Sequence, residues 1–218
     1  MTPPIVLLAL GSWEQHGAHL PFDTDTVIIE SVVDAAIRSV DPNNTQFLVV
    51  PTIGVTASDE HNGFAGTLSI GTHALSDAIV SIARSASWAR GICIVNGHGG
   101  NADALKLVHS ALDYENIRHS IWSLPYYEGA DMHAGHTETS LMLHLAPGTV
   151  RMDLAEVGAV GDSEMLIERM RAGGIKEVSS NGVVGDPTNA NAAHGATMLS
   201  FYADHLTKLL LQIQTSWT

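Results

Sequence analysis

The chain has 218 residues, enough to bury a large core without a disulfide or structural metal, and most simply forms one domain over residues 1–218. Its formal net charge of -13 argues against nucleic acid or an anionic membrane as a partner, because both would repel it. Twelve histidines stand against ten lysines and arginines together, a ratio that motivates a search for metal ligands.

The single cysteine and the N-terminal residues bear on the cellular compartment. Cys93 is the only cysteine, so no intrachain disulfide can form, and its apolar neighbours favour a core position. The first residues lack the basic segment of a signal peptide, and no apolar stretch approaches the ~18 residues of a membrane-spanning helix. We therefore expect a soluble, cytoplasmic protein.

Strand and helix patterns alternate along the chain. Short apolar runs predict four strands, at residues 5–10, 47–50, 92–95 and 120–124. Amphipathic patterns predict helices, at residues 26–40, 72–90, 101–114, 137–145, 162–171 and 192–213. The first three strands are continuously apolar, as expected where both faces are covered. The alternation predicts an α/β fold with a mainly parallel sheet and helices on both sides.

Carboxylates and imidazoles follow three of the predicted strands, where ligands gather in α/β sheets. They are Glu14, His16 and Asp25 after the first strand, His98 after the third, and His133 and Glu138 after the fourth. A lone histidine at a strand end is more often structural, but three such clusters together favour a metal site. Mixed carboxylate and imidazole donors suit zinc, iron or manganese.

This donor set favours a hydrolase with two metal ions. Two divalent ions about 3.5–4 Å apart can polarise a carbonyl and activate a bridging water. That chemistry needs no serine or cysteine nucleophile, and the Gly-x-Ser-x-Gly motif is absent from the sequence. The P-loop and dinucleotide-binding motifs are also absent, so nothing points to phosphate handling or hydride transfer.

Three stretches resemble the signature motifs of the creatininase (creatinine amidohydrolase) family. They are GSWEQHGAHLP at residues 11–21 with the following TD at 24–25, NGHGGN at 96–101, and HAGHTETS at 133–140. The resemblance spans nearly the whole chain in the expected order. It implies a three-layer α/β/α fold, two divalent ions (zinc, iron or manganese), hydrolysis of a non-standard amide, and a homo-oligomer.

By motif position, the resemblance also implies roles for individual residues. It assigns five metal ligands in two sets: Glu14, Asp25 and His98 for one ion, and His16, Asp25 and Glu138 for the other. Asp25 then bridges the two ions. His133 takes the place of an active-site histidine that can move a proton, so His133 and Glu138 are the expected catalytic residues.

One departure from the family pattern bears on the substrate. Creatininase itself has a glutamate two residues after the histidine of the second motif, where this chain has Gly100, so creatinine is not the expected substrate. Residues 60–71, 133–143 and 181–188 most closely resemble the mycofactocin-system peptidases of the family. That resemblance implies cleavage of a short ribosomal peptide before its modified C-terminal Val-Tyr unit.

Three alternatives remain open at this point. Two are other chemistries of the same family, namely a creatinine or cyclic amidohydrolase and a formamidopyrimidine-type deformylase. The third is a non-catalytic module that binds metal or peptide.

Five further side chains are candidates for the surroundings of the site. Glu60 and His61 lie in a glycine-bearing loop and either line the substrate cleft or fix the loop. Trp13 is a candidate wall of a pocket for an aromatic substrate, although aromatic residues at strand ends more often pack in cores. His19 and His136 are close in sequence to the ligands and are candidates for orienting them.

Overall fold

The computed structural model describes residues 2–217 and contains a four-stranded parallel sheet. The strands are β1 (Ile5–Leu10), β2 (Phe47–Val49), β3 (Ile92–Asn96) and β4 (His119–Ser123), in the spatial order β2-β1-β3-β4. All three strand pairs are parallel, and β1 pairs with β3 from Val6 opposite Ile92 to Leu10 opposite Asn96. The predicted parallel sheet is confirmed.

The described part of the chain contains six α-helices. They are α1 (Thr24–Val40), α2 (Gly71–Ser85), α3 (Ala102–Tyr114), α4 (His136–Leu145), α5 (Ser163–Gly173) and α6 (Ala192–Ser216). Helices α1, α4 and α6 pack on one face of the sheet, and α2 and α3 on the other. This arrangement confirms the three-layer α/β/α fold. Within residues 2–217, no helix is long and apolar enough to cross a bilayer.

The central strand explains the continuous apolar runs in the sequence. Every residue of β1 is buried, with Leu7 and Ala9 facing the α1/α4/α6 layer and Val6, Leu8 and Leu10 facing the α2/α3 layer. A strand covered on both faces has no polar side, so its sequence does not alternate. Two hydrophobic cores therefore lie on opposite sides of one sheet.

Most helix boundaries lie within three residues of the predicted ones, but the end of α2 differs by five. Helix α1 begins at Thr24, two residues before the predicted start, so Asp25 lies in its first turn, with Asp23 at the cap position. Helix α2 ends at Ser85 rather than at residue 90. The chain turns over residues 86–89, and the Arg90 N–H then donates to Pro4 O at 3.0 Å, which leads directly into β3.

Candidate metal centre

The functional side chains gather where the carboxyl ends of β1 and β3 meet the first turn of α1. Glycines at both strand ends allow this close approach. A Cβ on Gly11 would lie 2.6 Å from Thr26 Cα, and one on Gly97 would lie 3.2 Å from Asp25 O. Any side chain at these positions would therefore push α1, and Asp25 with it, away from the sheet.

The structure brings the five predicted ligands together in two groups that share Asp25. Asp25 Oδ2 lies 3.0 Å from His98 Nδ1, and Glu14 Oε2 lies 3.1 Å from His98 Nε2. On the other side, His16 Nε2 lies 3.5 Å from Asp25 Oδ1 and 3.7 Å from Glu138 Oε2. Two donors about 2.1 Å from one ion are roughly 3.0–3.4 Å apart, and the spacing of Asp25 Oδ2 and His98 Nδ1 lies in this range, whereas the His16 spacings are slightly longer. His98 Nε2 lies 2.9 Å from Ala57 O, so Nδ1 is the nitrogen that can share an ion with Asp25. In each group, one ligand atom from every residue lies within 4.8 Å of the others.

Several buried side-chain atoms that could bind a metal ion have no hydrogen-bond partner among the residues that the structure describes. Neither carboxylate oxygen of Glu14 has a hydrogen-bond partner among residues 2–217, and the same holds for His16 Nε2. His16 Nδ1–H donates to Glu14 O at 3.0 Å, which leaves the Nε2 lone pair facing the carboxylates. Buried polar atoms normally have partners, and a histidine anchored in this way is typical of a metal ligand. The residues therefore fit divalent cations.

Shifted pKa values show that the carboxylates of this cluster attract positive charge. Burial alone would lower the pKa of His16, but Asp25, Glu138 and Glu14 outweigh it and raise that pKa to about 10. Burial alone would raise the pKa of Asp25, but His16 and His98 lower it well below its usual range. Burial, opposed by His16, raises the pKa of Glu138 to about 8. Protons on these groups compete with metal for the same positions.

His133 lies beside the two donor groups as a neutral imidazole. Burial and the nearby rings of His16 and His61 lower the pKa of His133 well below its usual range. Its Nε2 lies 2.8 Å from the Gln15 carbonyl oxygen, and its Nδ1 lies 3.7 Å from Glu14 Oε1. The side chain therefore presents the Nδ1 lone pair to the site.

Glu60 and His61 lie on the wall of the same site. His61 Nε2 is 3.2 Å from Glu14 Oε1, and Glu60 Oε1 is 3.3 Å from His98 Nε2. A Cβ on Gly100 would lie 2.0 Å from Glu60 Oε1, so the Glu60 carboxylate occupies the space that a side chain at position 100 would need. The departure at Gly100 thus leaves room for a carboxylate from another loop.

Two of the candidate orienting residues have their contacts away from the donor groups. His19 Nε2 lies 2.9 Å from Thr139 Oγ1 on α4. His136 Nε2 lies 2.7 Å from His194 Nδ1 at the start of α6. Neither of these two contacts joins the imidazole to one of the five predicted ligands.

Two cavities meet at the donor groups, and Asp25, His98 and Glu138 line both. The first, of about 480 Å³, is also lined by Lys106 from α3 and Arg171 from α5. The second, of about 380 Å³, is also lined by three aromatic residues, Tyr126, Tyr127 and Tyr202. The site therefore opens into two cavities: the first carries two cationic side chains, and the second carries three tyrosine rings.

Trp13 lies outside both cavities and stacks on Phe22, with ring centroids 6.2 Å apart and planes 13° apart.

Sequence reasoning missed Lys106 and Arg171, which are 65 residues apart on different helices. It also missed Gln15, a buried side chain with contacts to both His61 and His133. The only indication in the sequence was its place between Glu14 and His16.

Comparisons with known proteins match this site and fold to one family. The family profile described as creatininase, creatinine amidohydrolase, matches residues 2–210. The chain belongs to the creatininase family. That family consists of metal-dependent amidohydrolases, so the chain is a hydrolase of amide bonds, and its donor groups fit divalent metal.

Relatives and solved structures add detail. The mycofactocin precursor peptide peptidase of Mycolicibacterium smegmatis is 44% identical over 209 residues, covering 93% of this chain and 84% of that protein. That of Mycobacterium tuberculosis is 45% identical over 209 residues, covering 93% and 83%. The structure described as creatininase Mn has a TM-score of 0.76 at 21% identity, covering 99% of this chain and 91% of that chain. At that identity the likeness concerns the fold.

Proposed function

We propose that this family member is a dinuclear metal-dependent peptidase that cleaves the mycofactocin precursor peptide and releases its modified C-terminal Val-Tyr unit. The observation that carries the substrate assignment is the 43–45% identity, over 93% of the chain, to peptidases of that name. The two donor groups that share Asp25 support the dinuclear chemistry.

The proposed metal site holds two divalent ions of zinc, iron or manganese. Glu14, Asp25 and His98 are the ligands proposed for one ion, and His16, Asp25 and Glu138 those for the other. When bound, such ions polarise the scissile carbonyl and make water a nucleophile near neutral pH. Because carboxylate and imidazole donors serve all three metals, reconstitution with each metal is part of the test.

Within this proposal, His133 moves the proton. The Gln15 carbonyl oxygen accepts the Nε2–H of His133, so the neutral ring offers Nδ1 as a proton acceptor. Nδ1 can take a proton from the attacking water and pass it to the departing amine nitrogen. Glu138 is the second proposed catalytic residue. Its Oε2 accepts the Ala134 N–H at 2.6 Å, and this hydrogen bond holds the carboxylate near His16.

The two cavities suit the two sides of the scissile amide. The second cavity is lined by Tyr127 and Tyr202 next to Glu138, which fits the tyrosine-derived end of the leaving unit. The larger first cavity, walled by Glu60 and His61, then takes the peptide on the acyl side. The roles of Trp13 as a substrate contact and of His19 and His136 as supports of the ligands stay predictions.

A phosphorylated substrate is the second candidate, and one observation favours it. Lys106 and Arg171 line the first cavity and can bind an anionic group such as the phosphate of a formamidopyrimidine nucleotide. Asp103 already neutralises Lys106, with 2.6 Å between the ammonium nitrogen and the carboxylate. Asp103 also interacts with Arg171, so both cations of the cavity face an acidic side chain, which weakens the case.

A side-by-side turnover experiment tests the assignment. The protein is loaded in turn with zinc, iron or manganese and incubated with the cross-linked precursor peptide, creatinine or a formamidopyrimidine nucleotide, and products are followed by mass spectrometry. We expect metal-dependent release of the modified Val-Tyr unit only. Glu14→Gln should lower the rate at least about 100-fold, while Glu164→Gln on α5 should not. Turnover of creatinine or the nucleotide instead of the peptide would refute the substrate assignment.

The organisation of the chain forms the last part of the proposal. Residues 1–218 act as one domain, the protein is a homo-oligomer, and it works in the cytoplasm on a peptide rather than on nucleic acid or membrane. Light scattering of the metal-loaded protein tests the assembly, and a monomer mass would exclude the homo-oligomer.

A further inference from the structure

The orientation of the Gln15 side-chain amide is fixed by backbone groups. Gly17 N–H donates to Gln15 Oε1 at 2.9 Å, and Gln15 Nε2 donates to Gly182 O at 3.0 Å. A backbone N–H can only donate and a carbonyl oxygen can only accept. Rotating the amide by 180° would face donor to donor and acceptor to acceptor, losing two buried hydrogen bonds.

The second hydrogen of the Gln15 amide has two candidate acceptors. Gln15 Nε2 lies 3.0 Å from His61 Nδ1 and 3.2 Å from His133 Nε2. His133 Nε2 lies 2.8 Å from the backbone oxygen of Gln15, which only accepts, so His133 Nε2 must carry a proton itself. The amide therefore donates to His61 Nδ1, and the proton of neutral His61 is on Nε2.

The two imidazoles consequently offer opposite hydrogen-bonding groups to one cavity. His61 presents Nε2–H and His133 presents the lone pair of Nδ1, at 3.2 and 3.7 Å from the same oxygen, Glu14 Oε1. Their ring centroids are 4.5 Å apart, and both rings line the first cavity. With Nδ1 accepting and Nε2 protonated, His61 has no lone pair for a metal ion, although it lies within reach of Glu14 and Glu60.

In amide hydrolysis the carbonyl oxygen gains negative charge as the carbon is attacked, and a hydrogen-bond donor aimed at that oxygen adds to the stabilisation that metal ions supply. We propose that His61 is that donor, through Nε2–H, and that Gln15 is the positioning residue that holds His61 in this tautomer. The inference rests on the proposed amide hydrolysis at this site. The neutral imidazole keeps its proton throughout, so its contribution is a hydrogen bond that strengthens as the oxyanion forms.

The tautomer is measured without any substrate. Long-range ¹H–¹⁵N spectra of the zinc-loaded protein with ¹⁵N-histidine, assigned by the signals lost in His61→Gln, should show protonated Nε2 and unprotonated Nδ1 in His61. In Gln15→Glu the carboxylate accepts at Nδ1, so the proton should move there. A proton on Nδ1 in the wild type, or an unchanged tautomer in Gln15→Glu, would overturn the inference.

Rate measurements separate hydrogen-bond donation from a structural role. The amide of His61→Gln places an N–H near the Nε2 position, whereas that of His61→Asn lies near Nδ1 and leaves no donor in the cavity. We expect His61→Asn to lower kcat about 10²–10³-fold at unchanged KM and zinc content, and His61→Gln to recover most of that loss. Equal kcat in the two variants would contradict donation.

Controls keep this test separate from the substrate assignment. His73 is exposed on α2, and His73→Asn should leave kcat and zinc content unchanged. If no peptide is cleaved by the wild type, the proposed function fails, while the spectra still decide the tautomer. If the peptide is cleaved but His61 carries its proton on Nδ1, only the role of His61 and Gln15 fails.

Discussion

Asp25 faces both donor groups, so replacing it should remove two ions, whereas replacing Glu138 should remove one. Its Oδ1 lies 3.5 Å from His16 Nε2 and its Oδ2 lies 3.0 Å from His98 Nδ1. An ion present at 100 times its Kd stabilises the folded state by about 2.7 kcal/mol, so two ions contribute about 5.4 kcal/mol. For a chain of this size, these energies correspond to about 5–11 °C and 11–22 °C in Tm.

The quantity to measure is the rise in Tm between chelator and excess zinc, taken within each variant by calorimetry. This difference cancels any destabilisation that the substitution itself causes. We expect the full rise in the wild type, about half in Glu138→Ala, and none in Asp25→Ala. Asp34→Ala, an exposed change on the same helix, should keep the full rise. Half of the rise remaining in Asp25→Ala would show that the two ions do not share this carboxylate.

Two further predictions concern stability and one concerns pH. The Asp41 carboxylate accepts the N–H groups of residues 45–47 at 2.7–3.0 Å, so Asp41→Ala should cost about 1–3 kcal/mol in urea unfolding at pH 7. These hydrogen bonds outweigh burial and lower the pKa of Asp41 in the folded state. Their contribution to the free energy of unfolding should therefore be present above the unfolded pKa of 3.8 and lost as pH falls through the lower folded pKa. A loss of stability in Asp41→Ala that stays constant down to pH 2 would contradict this pH dependence. A Cβ on Gly195 would lie 2.0 Å from Ser140 O, so Gly195→Ala should separate α6 from α4 and cost about 1–3 kcal/mol. An unchanged unfolding midpoint would show that these helices can separate freely.

The fold was predictable because local sequence and tertiary burial agree along most of the chain. Continuous apolar runs located β1 and β3 within a residue, since strands covered on both faces need no polar positions. The end of α2 was not predictable. Ala86 and Ala89 favour a helix, but the chain turns there, and Arg90 N–H bonds to Pro4 O, which is distant in sequence.

The donor groups were predictable from motifs, whereas the groups around them depend on long-range contacts. Glu14, His16 and Asp25 lie close together in sequence, so one motif identified them. Gln15 lies in the same motif, yet its function depends on His61 and Gly182, which are 46 and 167 residues away. No local pattern in a single sequence contains such contacts.

Anomalous diffraction from zinc-loaded crystals tests the central claim, a two-ion centre built around Asp25, most directly. The account predicts two peaks about 3.5–4 Å apart, both beside Asp25, with Glu14 and His98 at one peak and His16 and Glu138 at the other. A single peak at full zinc occupancy, or two peaks that do not share Asp25, would contradict it.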